Sequence, residues 1–174
     1  PQTPCRVVDT RGHGDAFDNR EIRGYTIADA DAETVFETQG GKPGGCNIPD
    51  SALAVEASIT AVDPATSGFT RVYPGNQGVP NATFMNFDQG MDITNTGTIA
   101  LATTGDTDLK VRNYGGASQY VIDIQGYYID PNLAAGAVYM PQTPCRVVDT
   151  RGHGDAFDNR EIRGYTIADA DAET

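Results

Sequence analysis

Residues 1–34 and residues 141–174 are the same at every position. A match of this length has no chance origin, so the 174-residue chain is one 140-residue repeat followed by the opening of the next. A period of 140 residues is too long for a solenoid, whose units of roughly 20–50 residues fold only against their neighbours. It is long enough for each unit to enclose a core of its own. The repeat therefore directs the chain towards an array of self-contained domains. The first copy lacks the Val138-Tyr139-Met140 lead-in of the second, and the second stops at Thr174 where the first runs on into Val35 and Phe36. We read the chain as an excerpt from a longer array, or from a processed chain.

Within the repeat, apolar residues recur with the period of strands. In Ala52–Val62, the residues Leu53, Val55, Ala57, Ile59 and Ala61 share one face, and Ala52, Ala54, Glu56, Ser58 and Thr60 the other. Its β-branched content, and Pro49 and Pro64 on either side, argue against a helix. Further strands are expected at Arg6–Thr10, Ile22–Ile27, Val35–Thr38, Gly68–Tyr73, Ala82–Phe87, Thr98–Thr103, Leu109–Tyr114 and Gln119–Tyr128. Turn residues separate them, among them Asn95-Thr96-Gly97 and Gly115-Gly116, the second read as a hairpin turn. In the last strand Tyr120, Ile122 and Ile124 fall on one face. No segment reads as a helix. About nine short strands with frequent turns predict an all-β fold, an antiparallel β-sandwich or barrel-like domain, repeated in tandem. The turn-prone Asp130–Gly136 stretch marks the boundary: a first domain at 1–130, a linker at 131–136, and the start of the next repeat at 137–174.

Several segments then carry a resemblance. They are Pro4-Cys5-Arg6-Val7-Val8-Asp9-Thr10-Arg11, Gly45-Cys46-Asn47-Ile48-Pro49, Val55–Val62, Pro80-Asn81-Ala82-Thr83 with Asn86-Phe87, and Val121-Ile122-Asp123-Ile124-Gln125-Gly126-Tyr127-Tyr128. Together they resemble a family of all-β tandem repeats, about as long as this one, in secreted and surface proteins of bacteria. The resemblance spans nearly the whole repeat. It implies a secreted or cell-surface location and a tandem arrangement, and it implies no enzymatic activity.

Charge and cysteine content narrow the setting. The chain holds 24 acidic and 12 basic residues, a net charge of −12. The second copy contains 7 of those acids and 4 of those bases, leaving 17 and 8 in one repeat. An array this anionic is a poor partner for nucleic acid or for an anionic membrane surface. No apolar run approaches the roughly 20 residues of a membrane span. Each repeat carries two cysteines, Cys5 and Cys46, with Cys145 the next copy of Cys5. Two per repeat, in no C-x-x-C pattern, fit a disulfide formed in an oxidising compartment. Cys46 has two candidate partners, Cys5 and Cys145. Cys5 is preferred because it closes the shorter loop, while Cys145 would join successive units.

Other residues are candidates for chemistry. Asp9 follows Val7-Val8, and Asp123 interrupts an apolar strand, so each carboxylate needs a partner. Arg6 and Arg11 are available if the first and last strands are neighbours, which makes Asp9, Arg11, Arg6 and Asp123 a set of structural ion pairs. His13 stands alone in a glycine-flanked loop with no nucleophile motif beside it. Gly40–Gly45 lacks the Lys-Ser/Thr of a phosphate loop and reads as a flexible loop. Asp29, Asp31 and Glu33 alternate along an acidic stretch and are candidate Ca²⁺ ligands, although the EF-hand order is missing. Asn81-Ala82-Thr83 fits the N-glycosylation pattern.

The sequence thus points to a non-enzymatic, extracellular structural protein: a fibre or adhesin stalk of identical acidic β-domains that assemble with one another. The alternatives are a tandem carbohydrate- or surface-binding module, which calls for exposed aromatics from among Tyr25, Tyr73, Tyr114, Tyr127 and Tyr128, and an accessory domain of a secreted enzyme. The partners expected are the chain itself and, for the binding reading, glycans.

Overall fold

The computed structural model describes residues 3–28, 35–130, 148, 150 and 154–166. The chain divides into two compact units, Pro1–Gly136 and Ala137–Thr174. The expected linker at 131–136 lies outside the described residues.

The first unit is all-β. Its strands are β1 (Cys5–Asp9), β2 (Ile22–Tyr25), β3 (Ala52–Val62), β4 (Gly68–Pro74), β5 (Met85–Phe87), β6 (Ile93–Ala100), β7 (Leu109–Tyr114) and β8 (Gln119–Ile129). They form two four-stranded sheets, in the orders β1-β8-β3-β6 and β2-β7-β4-β5. Every pairing is antiparallel. One core lies between the sheets: Val55, Ala57, Ile59, Ile122 and Ile124 from the first meet Tyr25, Met85, Phe87, Leu109 and Val111 from the second.

Eight strands are present among the described residues, one fewer than expected, because Val35–Thr38 is a single helical turn, α1. Four residues are too few for alternation to separate strand from helix. The deciding signal is the Gly40-Gly41 pair that follows. Gly40 takes a left-handed φ of 77°. Its N–H donates to the Glu37 carbonyl, and the Gly41 N–H to that of Phe36. This is a Schellman closure, which glycine favours because it has no side chain to strain. The turn plants Phe36 fully in the core.

Gly115-Gly116 is likewise not a hairpin turn. β7 and β8 belong to different sheets, so the glycines carry the chain from one sheet across to the other. The Asn95-Thr96-Gly97 stretch, read as a turn, lies within β6, paired with Ile59, Ser58 and Ala57. Thr96 faces outward beside Thr94, where hydroxyl pairs at 2.7 Å join Ser58 to Thr96 and Thr60 to Thr94, while Asn95, on the other face, donates Nδ2–H to the Phe84 carbonyl at 2.6 Å. β5 is shorter than the expected Ala82–Phe87.

β3 follows the expected alternation from Val55 onward, but not at its start. A register shift falls between Ala52 and Ala54, a bulge that turns Ala52 inward and leaves Leu53 at 44% exposure. Leu53→Ser is therefore expected to change stability by less than about 0.5 kcal/mol. Val55→Ala should cost about 2 kcal/mol, and urea unfolding of the two variants checks the contrast. A second bulge, between Arg6 and Val8, lets the consecutive Val7 and Val8 both reach the core.

β1 runs beside β8 with Cys5 opposite Ile124 and Asp9 opposite Val121. β8 then continues to Ile129, which pairs with Ala52 at the start of β3. The chain therefore comes into this domain and leaves it at the same end.

Candidate functional site

The polar residues singled out in the sequence gather where β1 meets β8. Arg6 and Asp123 face each other in register, and the pair is bidentate, with Nε to Oδ1 at 3.0 Å and Nη2 to Oδ2 at 3.2 Å. Arg6 Nη1 also reaches Asp9 Oδ2 at 3.1 Å. The Asp9 carboxylate accepts the Arg11 backbone N–H at 3.1 Å and the Arg11 guanidinium at 2.9 and 2.6 Å. The intervening Thr10 is buried, and its Oγ1 accepts the Tyr120 N–H at 2.8 Å. Asp9-Thr10-Arg11 thus fastens the end of β1 to β8. The hydrogen bond from Arg11, helped by Arg6, holds the Asp9 carboxyl below its usual range.

A depressed carboxyl contributes stability that is complete above the unfolded value and is lost as pH falls through the folded one. Arg11→Gln should flatten that acid-side loss. The effect is expected to stay within about 1 kcal/mol, because Arg11 and Arg6 are half exposed. Urea midpoints between pH 5 and pH 2 for both chains check it.

Cys5 and Cys46 form a disulfide with Cα atoms 5.8 Å apart. Cys145 lies outside the described residues. The glycine-rich 40–45 stretch, expected as a flexible loop, instead lines the outer edge of β1. Asp9 N–H donates to the Gln39 carbonyl at 2.9 Å, and Lys42 N–H to the Arg6 carbonyl at 2.8 Å. A Cβ on Gly40 would overlap the Asp9 carbonyl oxygen, so glycine is required by close approach as well as by φ. The stretch covers hydrogen-bonding groups that would otherwise leave β1 an open edge. Beside the bridge lies a shallow pocket lined by Thr3, Pro4, Lys42, Asn47 and Tyr127.

One polar centre lies outside the residues that the sequence singles out. Asn113 is fully buried. Its Nδ2 donates to the carbonyls of Gly116 at 2.9 Å and Asp18 at 3.2 Å, and its Oδ1 accepts the Tyr120 hydroxyl at 2.9 Å. Tyr120 Oη in turn lies 2.6 Å from Thr70 Oγ1. The signal was there: Asn113 continues the inward Leu109, Val111 series, and an amide on a core face must find partners. Asn113→Ala leaves these groups unpaired and is expected to cost about 2–4 kcal/mol, read as a fall in the urea midpoint.

The outer face of the second sheet carries another cluster. Phe69 and Tyr114 pair across β4 and β7 and stack at 4.3 Å with planes 12° apart. Arg71 and Arg112 are directly opposite one another. Their guanidiniums lie 5.0 and 4.8 Å from the Tyr114 ring. Like charges in register repel, and the ring faces offset part of that repulsion. Both Nε atoms are buried without a hydrogen-bond partner among the described residues.

The remaining expected positions are scattered. Tyr25 and Tyr73 are buried, whereas Tyr127 and Tyr128 are exposed. His13 and Asn81 are exposed, and Asn81 Oδ1 accepts from Arg71 Nη2 at 3.2 Å. Asp29, Asp31 and Glu33 lie outside the described residues. Among the described residues no group of three or more His, Cys, Asp or Glu side chains is placed to hold a metal ion, and no helix is long and apolar enough to cross a membrane. No family model, curated protein or solved structure matches the chain.

Proposed function

We propose that this chain is part of an extracellular structural fibre or adhesin stalk, built from identical β-domains in series on a bacterial surface, and that its role is not catalytic. The observation that carries the reading is the letter-for-letter return of 34 residues at a spacing of 140. Identical units present identical head-to-tail contacts, and such contacts propagate into open filaments when their rotation does not close. Support comes from how the candidate residues are engaged. Arg6, Asp9, Arg11 and Asp123 are paired with one another, and Cys5 with Cys46, which holds the domain closed. A disulfide also suits a secreted protein. Electron micrographs of a chain of several repeats are the test. Regular, unbranched fibres or rods are expected, and dispersed particles that gather only on a glycan would sink the proposal.

A second reading, a tandem surface-binding module, is favoured by the Phe69, Tyr114, Arg71 and Arg112 cluster. Stacked rings beside two guanidiniums suit an acidic sugar, with the ring faces for its apolar side and the guanidiniums for its carboxylate. On this reading Arg71→Gln with Arg112→Gln lowers binding of uronic-acid oligosaccharides at least tenfold while the urea midpoint holds. Equal binding by both chains removes it.

A further inference from the structure

Most edges of the two sheets are short or covered. β5 has 3 residues and β2 has 4, and β1 is lined by the 39–42 stretch, which bonds to Asp9 and Arg6. β6 is neither. It ends the first sheet, runs for 8 residues, and pairs with β3 from Ile93 to Ala100 without a bulge. No described residue forms a ladder on its other side. Lys, Pro and bulges are the usual means of blunting such an edge, and residues 93–100 hold none of them.

The ladder shows which backbone groups face the open side. Leu101 N–H donates to the Leu53 carbonyl at 2.9 Å, one step beyond the Ala54–Ala100 pair. Hydrogen-bonded pairs alternate with pairs that exchange no bonds. The odd-numbered residues of β6 therefore bond to β3, while Thr94, Thr96 and Thr98 turn N–H and C=O outward. The Ser58–Thr96 and Thr60–Thr94 hydroxyl contacts fall, as they should, at the closer, non-bonded pairs.

Ile93-Thr94-Asn95-Thr96-Gly97-Thr98-Ile99 reads nearly the same in both directions about Thr96. A two-fold axis there sets a second β6 alongside with Thr96 opposite Thr96 and Thr94 opposite Thr98. These are the positions with outward backbone groups, so each pair exchanges both hydrogen bonds, and paired threonines are favourable neighbours across strands. On the other face Ile93 meets Ile99, and Asn95 lies opposite Gly97, which has no side chain to crowd it. An isologous interface requires such a self-complementary surface. Charge favours the same place. The chain carries a net −12, yet residues 93–100 hold no charged side chain, so two copies meet there with least repulsion.

We propose that β6 is an interaction surface for a second copy of this chain, whose own β6 joins it antiparallel about Thr96. The two four-stranded sheets become one, ending on two β1 edges that are already covered, so the pairing stops at two copies. The proposal stands on β6 alone and holds whether or not the units run in series.

The test reads the register in full-length chains carrying Cys145→Ser, where Cys5 and Cys46 hold each other. With Thr96→Cys added, the chain is expected to link to its own copy in an oxidising glutathione buffer. Thr94→Cys and Thr98→Cys should each stay unlinked alone, because like positions lie about 13 Å apart along the paired strands, beyond the ~7 Å Cα reach of a disulfide. Mixed, they should give at least tenfold more linked dimer than either alone. Sedimentation of the Cys145→Ser chain should show a monomer–dimer equilibrium below about 1 mM. Adding Thr96→Lys, which sets like charges face to face, should raise its dissociation constant at least tenfold while the urea midpoint of the dilute chain holds. The cysteine arms do not depend on that variant folding. The proposal is overturned if the Cys145→Ser chain stays monomeric to about 1 mM, if Thr96→Cys does not link, if Thr94→Cys links to itself as readily as to Thr98→Cys, or if folded Thr96→Lys associates as strongly as its parent.

Discussion

Raising the pH from 10 to 12 is expected to remove about 4 kcal/mol of stability from the β-domain. Two phenols account for it. Burial pushes both Tyr25 and Tyr120 up to about 12, against about 10 for an exposed tyrosine. Nearby Arg23 draws Tyr25 partly back, and the hydrogen bond with Thr70 does the same for Tyr120. Because each folded value is raised, the unfolded chain ionises first. The contribution is complete below pH 10 and is lost as pH climbs through the folded values, by about 1.4 kcal/mol per pH unit for each ring. The structure gives the cost a location. Tyr120 donates to Asn113 Oδ1, and a phenolate there would set its charge against a carbonyl oxygen. Tyr25 Oη is buried with no hydrogen-bond partner among the described residues. Urea unfolding at pH 9, 10 and 11 measures the loss, and a chain with Tyr25→Phe and Tyr120→Phe should show most of it abolished. A midpoint that does not move across this range in the unaltered chain would refute the argument.

Cys46→Ser is expected to cost about 4 kcal/mol, the chain-entropy value for a closed loop of this size. The bridge spans a sequence separation of 41 residues and encloses β1, β2 and α1. Without it those elements keep their hydrogen bonds, the core packing of Val7, Val8, Phe17 and Phe36, and the Arg6, Asp9, Arg11 and Asp123 contacts, which are partly exposed and therefore weak. Adding reductant to the unaltered chain should reproduce the loss, and adding it to the variant should change nothing. Equal urea midpoints for the oxidised and reduced chains would mean that the bridge only decorates a domain already held by its core.

The fold class was legible because strand patterning is a local signal. β3 shows it over most of its length, and β8 carries Tyr120, Ile122 and Ile124 inward as expected. Three features were not legible, each for a physical reason. The Leu53 face depends on a bulge, which is a property of the pairing with β8 and leaves no mark in the alternation. The sheet switch at Gly115-Gly116 depends on which strands are neighbours, since two glycines serve a hairpin and a sheet-crossing turn equally well. The Val35–Thr38 turn was signalled by the glycines after it rather than by its own residues. At the candidate site, the need of Asp9 and Asp123 for cationic partners could be reasoned from desolvation, and Arg6 and Arg11 were at hand. The Arg71 and Arg112 pairing needed the β4/β7 register, which no single strand reveals.

That the chain comes in and leaves at one end has a mechanical consequence. Tension applied through the two ends pulls β1 and β8 apart as a zipper, breaking one rung at a time, instead of shearing many rungs together. An edge strand loaded this way is the first to peel. The Cys5–Cys46 bond reroutes the pull: tension reaching Cys5 passes through sulfur to Cys46 and on to Ala52, which faces Ile129 across the long β3/β8 ladder. The residues between the two cysteines are then slack, held out of the line of force. Oxidation would set the force at which such a domain opens by deciding which ladder is pulled first.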